Sequence, residues 1–323
     1  MELINTTMLP VNASSAGHFY PSSLGFLDLV GALFLGLVFL LGVPGNITII
    51  TFRPNIQHLS PVTQSLMVNL AVSDLLCLLT IPFWIYAMSL GWTPGLVPCK
   101  LLTYLSLIGI YGSLMTVTLL SVQRYLGVVK QWNMLNRFGA KRLLVLVWTA
   151  SLIASIPTCV HQQLIIEDNR IHCLFLFTTE PLVMVVLIEE ITGGFITMFI
   201  VAFSYISVYR KVKQAAFFNH PQTTRLVSSI TVIFFILYFP YHVNNILSVT
   251  AISLNISELR KSCNMLRYIW GSVVIFNSSL NPLLYAFTSC NLWKCTEKRI
   301  CWGRNSGVFQ RKTNGTIYEE SVI

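Results

Sequence analysis

The chain has 323 residues, 54% of them apolar and 10% charged, with a mean hydropathy of +0.68. Soluble domains run at about 45–50% apolar and ~25% charged, so this chain lacks the polar side chains to cover a water-facing surface. The same figures exclude a disordered chain, a nucleic-acid module and a secreted disulfide scaffold, and leave the formal charge of +9 to be explained by where it sits.

Residues 1–23 form a polar tail rich in Ser, Thr and Asn. No basic region is followed there by an apolar core, so no cleavable signal peptide is expected. Seven long apolar segments follow, at about 24–52, 61–88, 96–130, 139–159, 181–214, 222–252 and 263–287. Each is long enough to cross a bilayer, and each must be helical because lipid offers no partner for backbone N–H and C=O groups. The expected fold is an all-α membrane protein, a seven-transmembrane helix bundle over 24–288. A short amphipathic helix at 289–302 and a cytoplasmic tail at 303–323 complete it.

Basic residues set the orientation. With the N-terminus outside, 16 of the 21 Lys and Arg fall on the cytoplasmic side, leaving Lys100, Arg170, Arg260, Lys261 and Arg267 outside. The basic face then meets membrane lipid, not nucleic acid. The sequons at Asn5, Asn12 and Asn255 fall on the same outer side and are glycosylation candidates. Those at Asn46 and Asn277 lie inside helices, and Asn314 lies in the cytoplasmic tail. Cys99 heads the third segment and Cys173 sits in the loop after the fourth, both on the oxidising side, and are expected to be bridged. Cys290, Cys295 and Cys301 lie among Trp293, Lys294, Lys298 and Arg299, which reads either as an S-acylated amphipathic helix or as a basic turn with free thiols.

Asp74 stands inside the second segment. A charge at mid-bilayer costs about 2.5–3.5 kcal/mol on insertion scales, so it must face a wet polar interior. Asn46, Ser113, Asn277, Ser278 and Asn281 are candidate neighbours, able to hold a sodium ion with oxygen ligands or a cluster of water. Pro282 in Asn281-Pro282-Leu283-Leu284-Tyr285 and Pro240 in the sixth segment each remove a backbone hydrogen bond and kink their helices.

Taken in order, Asn46, Asp74, Cys99, Arg124-Tyr125, Trp148, Cys173, Pro240 and the Asn281-Pro-x-x-Tyr285 run resemble the rhodopsin-like G-protein-coupled receptors over about residues 24–301. Within that family the chain is most similar to the leukotriene B4 receptors, among the chemoattractant receptors. Ile110-Tyr111-Gly112-Ser113, Glu189 with Thr192-Gly193, Thr224-Arg225-Leu226-Val227, Phe239-Pro240-Tyr241-His242-Val243-Asn244-Asn245, Arg267 and Ser278-Ser279-Leu280 carry that likeness. The resemblance implies a switch built on Arg124, Tyr205, Phe234, Pro240 and Tyr285. It also implies an inhibitory-type heterotrimeric G protein as partner, with arrestin and receptor kinases as further partners. The chain departs from the pattern at Gln123, where the family has an acid, at Tyr238 for a tryptophan and at Thr197 for a proline.

The ligand implied is a lipid mediator, leukotriene B4 or a related oxygenated fatty acid. Such a molecule needs an apolar slot, hydroxyl partners and one cation. Arg267 is the expected cation, with Glu189, Tyr104, Tyr111, Tyr238, Tyr241, His242, Thr103 and Gln162 around it. A peptide chemoattractant is the alternative, suggested by the acidic outer residues Glu167, Asp168, Glu180, Glu189 and Glu190. A retinal-type pump would need an intramembrane Lys in the seventh segment, which has none. A transporter would need charges on several helices, and an intramembrane enzyme a nucleophile–base pair or a His cluster, and neither pattern is present. No cofactor is expected beyond the sodium ion.

Gln123 has a direct consequence. A glutamine accepts a hydrogen bond but forms no ion pair, so the resting state is expected to be held less firmly around Arg124. Gln123→Asp should lower ligand-free signalling at matched surface expression, and an unchanged basal signal would refute the idea.

Overall fold

The computed structural model describes residues 26–52, 60–167, 170–175, 181–214 and 221–305. Asn5, Asn12 and the tail after residue 305 lie outside that set, as do the side chains of Phe234, Tyr285, Cys290, Cys295 and Cys301. The elements in chain order are α1 (Phe26–Phe52), α2 (Pro61–Leu78), α3 (Ile81–Leu90), α4 (Leu96–Tyr125), a π-turn (Leu126–Lys130), α5 (Met134–Phe138), α6 (Ala140–Ala154) and α7 (Ile156–Val160). There follow the hairpin β1 (Gln162–Glu167) and β2 (Arg170–Phe175), then α8 (Pro181–Gln214), α9 (Pro221–Ser253) and α10 (Ser257–Asn305). Among the described residues, Asp28–Thr51, Pro61–Leu90, Leu96–Lys130, Ala140–Val160 and Pro181–Lys211 are long and apolar enough to span a bilayer. The sixth and seventh apolar segments lie in α9 and α10.

Two spans expected to be unbroken are split by proline. Pro82 and Pro157 stand at the start of α3 and α7, after turns at Leu79–Thr80 and at Ser155. Each turn carries a hydroxyl bonded back into the helix before it: Thr80 Oγ1 donates to the Cys77 carbonyl (2.7 Å) and Ser155 Oγ to the Ser151 carbonyl (2.7 Å). The chain is helical without interruption to Asn305, so the segment at 289–302 is not set off as a separate helix.

Glycines set the closest approaches. A Cβ on Gly109 of α4 would stand 2.7 Å from the Cys77 nitrogen and the Ser73 carbonyl oxygen of α2, so only hydrogen fits between the two backbones. Gly45 meets Pro282 in the same way, joining α1 to α10. Pro282 has no N–H to offer the Ser278 carbonyl four residues back. Asn46 Nδ2 supplies that bond from α1 at 3.0 Å. Asn69 ties three helices, donating to Thr116 Oγ1 (2.8 Å) and accepting from Trp148 Nε1 (2.9 Å). Between these polar links lies the apolar centre of Leu70, Leu114, Val117, Met198, Val201, Tyr238 and Val274, drawn from five helices.

The bundle is closed at one end by the hairpin. Cys99 and Cys173 form the expected disulfide, fixing β2 to the first turn of α4. Trp92, fully buried beside the bridge, donates its backbone N–H to the Ile171 carbonyl (2.6 Å) and its indole N–H to the Gly95 carbonyl (2.7 Å). Gly91 and Gly95 carry this turn at φ of 82° and 92°, backbone that favours glycine.

Candidate functional site

Beneath the hairpin lies a cavity of about 1000 Å³, at the upper end of the range for small-molecule sites. α4 supplies one wall through Thr103, Leu107, Ile110, Tyr111, Leu114 and Met115. α8, α9 and α10 supply the opposite walls, and β2 brings His172 to Phe175 against them. Of the residues expected from sequence, Thr103, Tyr111, Gln162, Glu189, Tyr238, Tyr241, His242 and Arg267 all line this cavity. Tyr104 does not: its hydroxyl donates to the Leu152 carbonyl of α6 at 3.1 Å, away from the site. One helical turn separates Tyr104 from Ile108, and the lining face of α4 instead runs through 103, 107, 110, 111 and 114.

The dominant feature of the cavity wall is a buried ion pair. Arg267 Nη2 lies 2.8 Å from Glu190 Oε1, and Nη1 lies 3.1 Å from Oε2, a two-point contact from α10 to α8. Glu190 Oε2 also accepts from the Tyr241 hydroxyl and from Asn245 Nδ2, each at 2.8 Å, and Oε1 accepts from Thr158 at 3.3 Å. The guanidinium is stacked over the rings of Phe175 (4.5 Å) and Tyr241 (5.5 Å) and donates to Asn245 Oδ1 (3.2 Å). Arg267 is therefore no free cation awaiting a ligand acid; it already holds a carboxylate of the protein.

The acid in that pair is Glu190, and Glu189, the anchor expected from sequence, is exposed at the cavity edge. The helical period distinguishes them. Val183, Val186, Leu187, Met198 and Val201 form the buried stripe of α8, and Glu190 is in phase with it. Glu189 shares its side with the exposed Val185, Ile188 and Ile196. Gly194, also in phase, provides the notch into which the His242 imidazole fits; any Cβ there would collide with the ring. His242 Nδ1 and Thr103 Oγ1 are buried without hydrogen-bond partners. Lys261, not singled out by sequence, adds an exposed cation to the cavity lining.

Below the cavity floor, Tyr238 lies against Asn277, and the polar core begins. Asp74 is completely buried, flanked by Asn281, Ser113 and Ser278. Asn281 Nδ2 donates to its Oδ2 at 2.6 Å. Four buried oxygens in this region have no partner: Asp74 Oδ1, Asn46 Oδ1, Ser73 Oγ and Ser113 Oγ. An all-oxygen set with one formal negative charge fits a hard cation. Among the described residues no His, Cys and carboxylate cluster suits a transition metal.

At the far end of α4, Gln123 does not engage Arg124. Its Nε2 donates to Ser60 Oγ (2.7 Å) at the start of α2 and to Asn136 Oδ1 (3.3 Å) of α5. Arg124 is half-buried with no ion pair among the described residues. Tyr205 packs against the apolar centre, and Pro240 lies inside α9.

A family model described as 7 transmembrane receptor (rhodopsin family) matches residues 45–285. The chain is similar to C-C chemokine receptor type 8 of Macaca mulatta, at 28% identity over 302 residues, 87% of this chain and 84% of that one. It is similar to leukotriene B4 receptor 1 of Homo sapiens, at 28% identity over 278 residues, 82% of this chain and 79% of that one. C-C chemokine receptor type 8 of Homo sapiens is 29% identical over 270 residues, 80% and 75% of the two chains.

Removing one partner of a buried pair strands the other charge. Glu190→Gln should destabilise the purified protein by about 3–5 kcal/mol, against less than about 0.5 kcal/mol for the exposed Glu189→Gln, read as thermal denaturation. The double variant Glu190→Leu/Arg267→Met should recover much of the loss. Equal effects at 189 and 190 would overturn the assignment.

Proposed function

The chain belongs to the rhodopsin family of seven-transmembrane receptors, a multi-pass plasma-membrane G-protein-coupled receptor, and from that premise we propose that its ligand is an extracellular lipid mediator, leukotriene B4 or a related oxygenated fatty acid. The observation that carries this reading is the deep cavity with apolar walls and one concentrated polar cluster, the pattern an amphipathic chain requires. Similarity to a leukotriene B4 receptor supports it. The acyl chain runs along Leu107, Ile110, Leu114 and Met115, with Val274 and Ile275 across from them. Hydroxyls on the chain meet Thr103 and His242, whose buried polar atoms have no partner. Because Glu190 occupies Arg267, the ligand carboxylate goes to Lys261 at the exposed margin, and the Glu190–Arg267 cluster reads the hydroxylated part.

The N-terminus faces outward in this reading, with the glycosylation candidate Asn255 in an exposed turn between α9 and α10. The partner inside is a heterotrimeric G protein of the inhibitory type, followed by receptor kinases and arrestin. A sodium ion shares the Asp74 pocket, held by Asp74 with Asn46, Ser113 and neighbouring hydroxyls, where it compensates the buried carboxylate.

A peptide chemoattractant is the second reading, favoured by the similarity to chemokine receptors. Calcium or cyclic-AMP responses in transfected cells distinguish the two. A lipid stimulus survives protease pretreatment, and a peptide stimulus is destroyed by it. For a responding fatty acid, Lys261→Gln should raise the half-maximal concentration about tenfold (about 1.4 kcal/mol). The methyl ester should lose the same factor on the unmodified receptor and nothing further on the variant; an ester as potent as the acid would refute the carboxylate assignment. For the cation, sodium chloride should raise the thermal stability of the purified receptor over an equal concentration of choline chloride, and Asp74→Asn should abolish the difference. An identical sodium effect in the variant would remove Asp74 from the site.

A further inference from the structure

The corner between α5 and α6, at the end of the bundle opposite the disulfide, carries an exposed surface that is both apolar and basic. Leu135 turns inward and packs with Val62, Leu66 and Leu143. Met134 and Phe138, one helical turn apart on the other side of α5, are exposed, and so is Trp132 just before it. α5 is thus apolar on two sides, one facing the bundle and one facing outward.

The basic residues around it are equally distinctive. Arg137, Lys141 and Arg142 are all exposed, and the Arg142 guanidinium lies over the Phe138 ring at 5.9 Å. No acidic residue stands anywhere between Asp74 and Glu167 in the chain. Among the described residues none of the three cations has an ion-pair partner. Their position relative to lipid follows from α6. Its exposed stripe runs Arg142, Val145, Leu146, Leu152, Ile153, the apolar members of which are 42–64% exposed and face the hydrocarbon. Arg142 is the first member of that stripe, one turn before Val145, so it stands at headgroup level. Phe138, stacked against it, stands there too.

We propose that the α5–α6 corner is a binding site for the phosphate headgroup of an anionic phospholipid. Phe138 and Trp132 enter the interface as aromatic anchors, while Arg137, Lys141 and Arg142 take the phosphate oxygens. The geometry favours lipid over an acidic protein because Arg142, with Phe138 beneath its guanidinium, continues directly from a bilayer-facing stripe and Arg137 and Lys141 flank it.

The test uses the full chain, purified and titrated with phosphatidylserine and, separately, phosphatidylcholine, with bound lipids counted by native mass spectrometry. The unmodified protein should retain phosphatidylserine preferentially. R137Q/K141Q/R142Q should weaken that retention about a hundredfold, at roughly a factor of five per lost charge near a membrane surface. F138A should weaken it less. K211Q/K213Q, which removes exposed cations of α8, should leave it unchanged. Monodispersity on gel filtration verifies that each variant is folded, and W132F, read by loss of fluorescence quenching from brominated phosphatidylserine, gives a readout that leaves all the charges in place. Equal loss in the two charge-removal variants would mean general attraction and overturn the site. So would unchanged retention in R137Q/K141Q/R142Q, and if that variant lost G-protein nucleotide exchange instead, the surface would belong to the protein partner.

Discussion

Lipid supplies no hydrogen bonds, and every polar group inside the bundle must be answered by another part of the chain. That constraint explains the pairings that hold this structure together. Pro282 frees the Ser278 carbonyl, and Asn46 reaches across from α1 to fill it. Pro82 and Pro157 interrupt two more spans, and in the turns before them Thr80 and Ser155 satisfy their own hydroxyls on carbonyls of the preceding helix. The close approaches at Gly109 and Gly45 serve the same end, because a short hydrogen bond between helices requires backbones that nearly touch. Polar residues and glycines are therefore two halves of one device.

The Glu190–Arg267 pair is the most demanding case. Burying two charges costs several kcal/mol per ion, and the mutual attraction repays this only when the remaining hydrogen-bonding capacity is used. Here the carboxylate accepts from Arg267, Tyr241, Asn245 and Thr158, and the guanidinium is stacked between two rings. The cluster gathers residues from α7, α8, α9 and α10 at one point in the cavity wall. It binds those helices in one arrangement and leaves any incoming acid to compete with an acid already in place. Charge in this cavity is thus a property of an arrangement of helices, which a list of charged residues does not convey.

Most of the fold was legible because it depends on length and composition. Seven apolar stretches and two cysteines placed to meet needed no tertiary information. The hairpin at 162–175 was not legible: its strands are short, and they are held by pairing with each other and by the bridge to α4. The splitting of two spans was half legible, since Pro82 and Pro157 are visible but the turns at Leu79–Thr80 and Ser155 stand before them and carry no Gly or Pro of their own. Within the site, eight of nine expected ligand contacts converge on one cavity. Two positions differ from the expected centre of the site by rotation. Tyr104 lies on a neighbouring face of α4, and Glu189 was chosen over Glu190 on resemblance when the buried stripe of α8 favoured the other. A shift of one residue turns a side chain through about 100° on a helix, enough to exchange an exposed acid at the cavity edge for the buried one in its wall.

Two departures from the family pattern bear on how the ends of the bundle communicate. At one end, Gln123 gives its amide to Ser60 and Asn136, so α4 is fastened to α2 and α5 by neutral hydrogen bonds. Neutral bonds contribute about 0.5–1.5 kcal/mol each where one to a charged group contributes about 1.5–3, and the bonds Gln123 makes are of the neutral kind. At the other end, Tyr238 belongs to the cavity lining and to the apolar centre at once, and its ring leads to Asn277 and the Asp74 pocket. A ligand shifts such an equilibrium only by its differential affinity for the two states. Tyr238 is where contacts in the cavity meet contacts with the polar core, so a ligand that prefers one placement of that ring carries its preference to both.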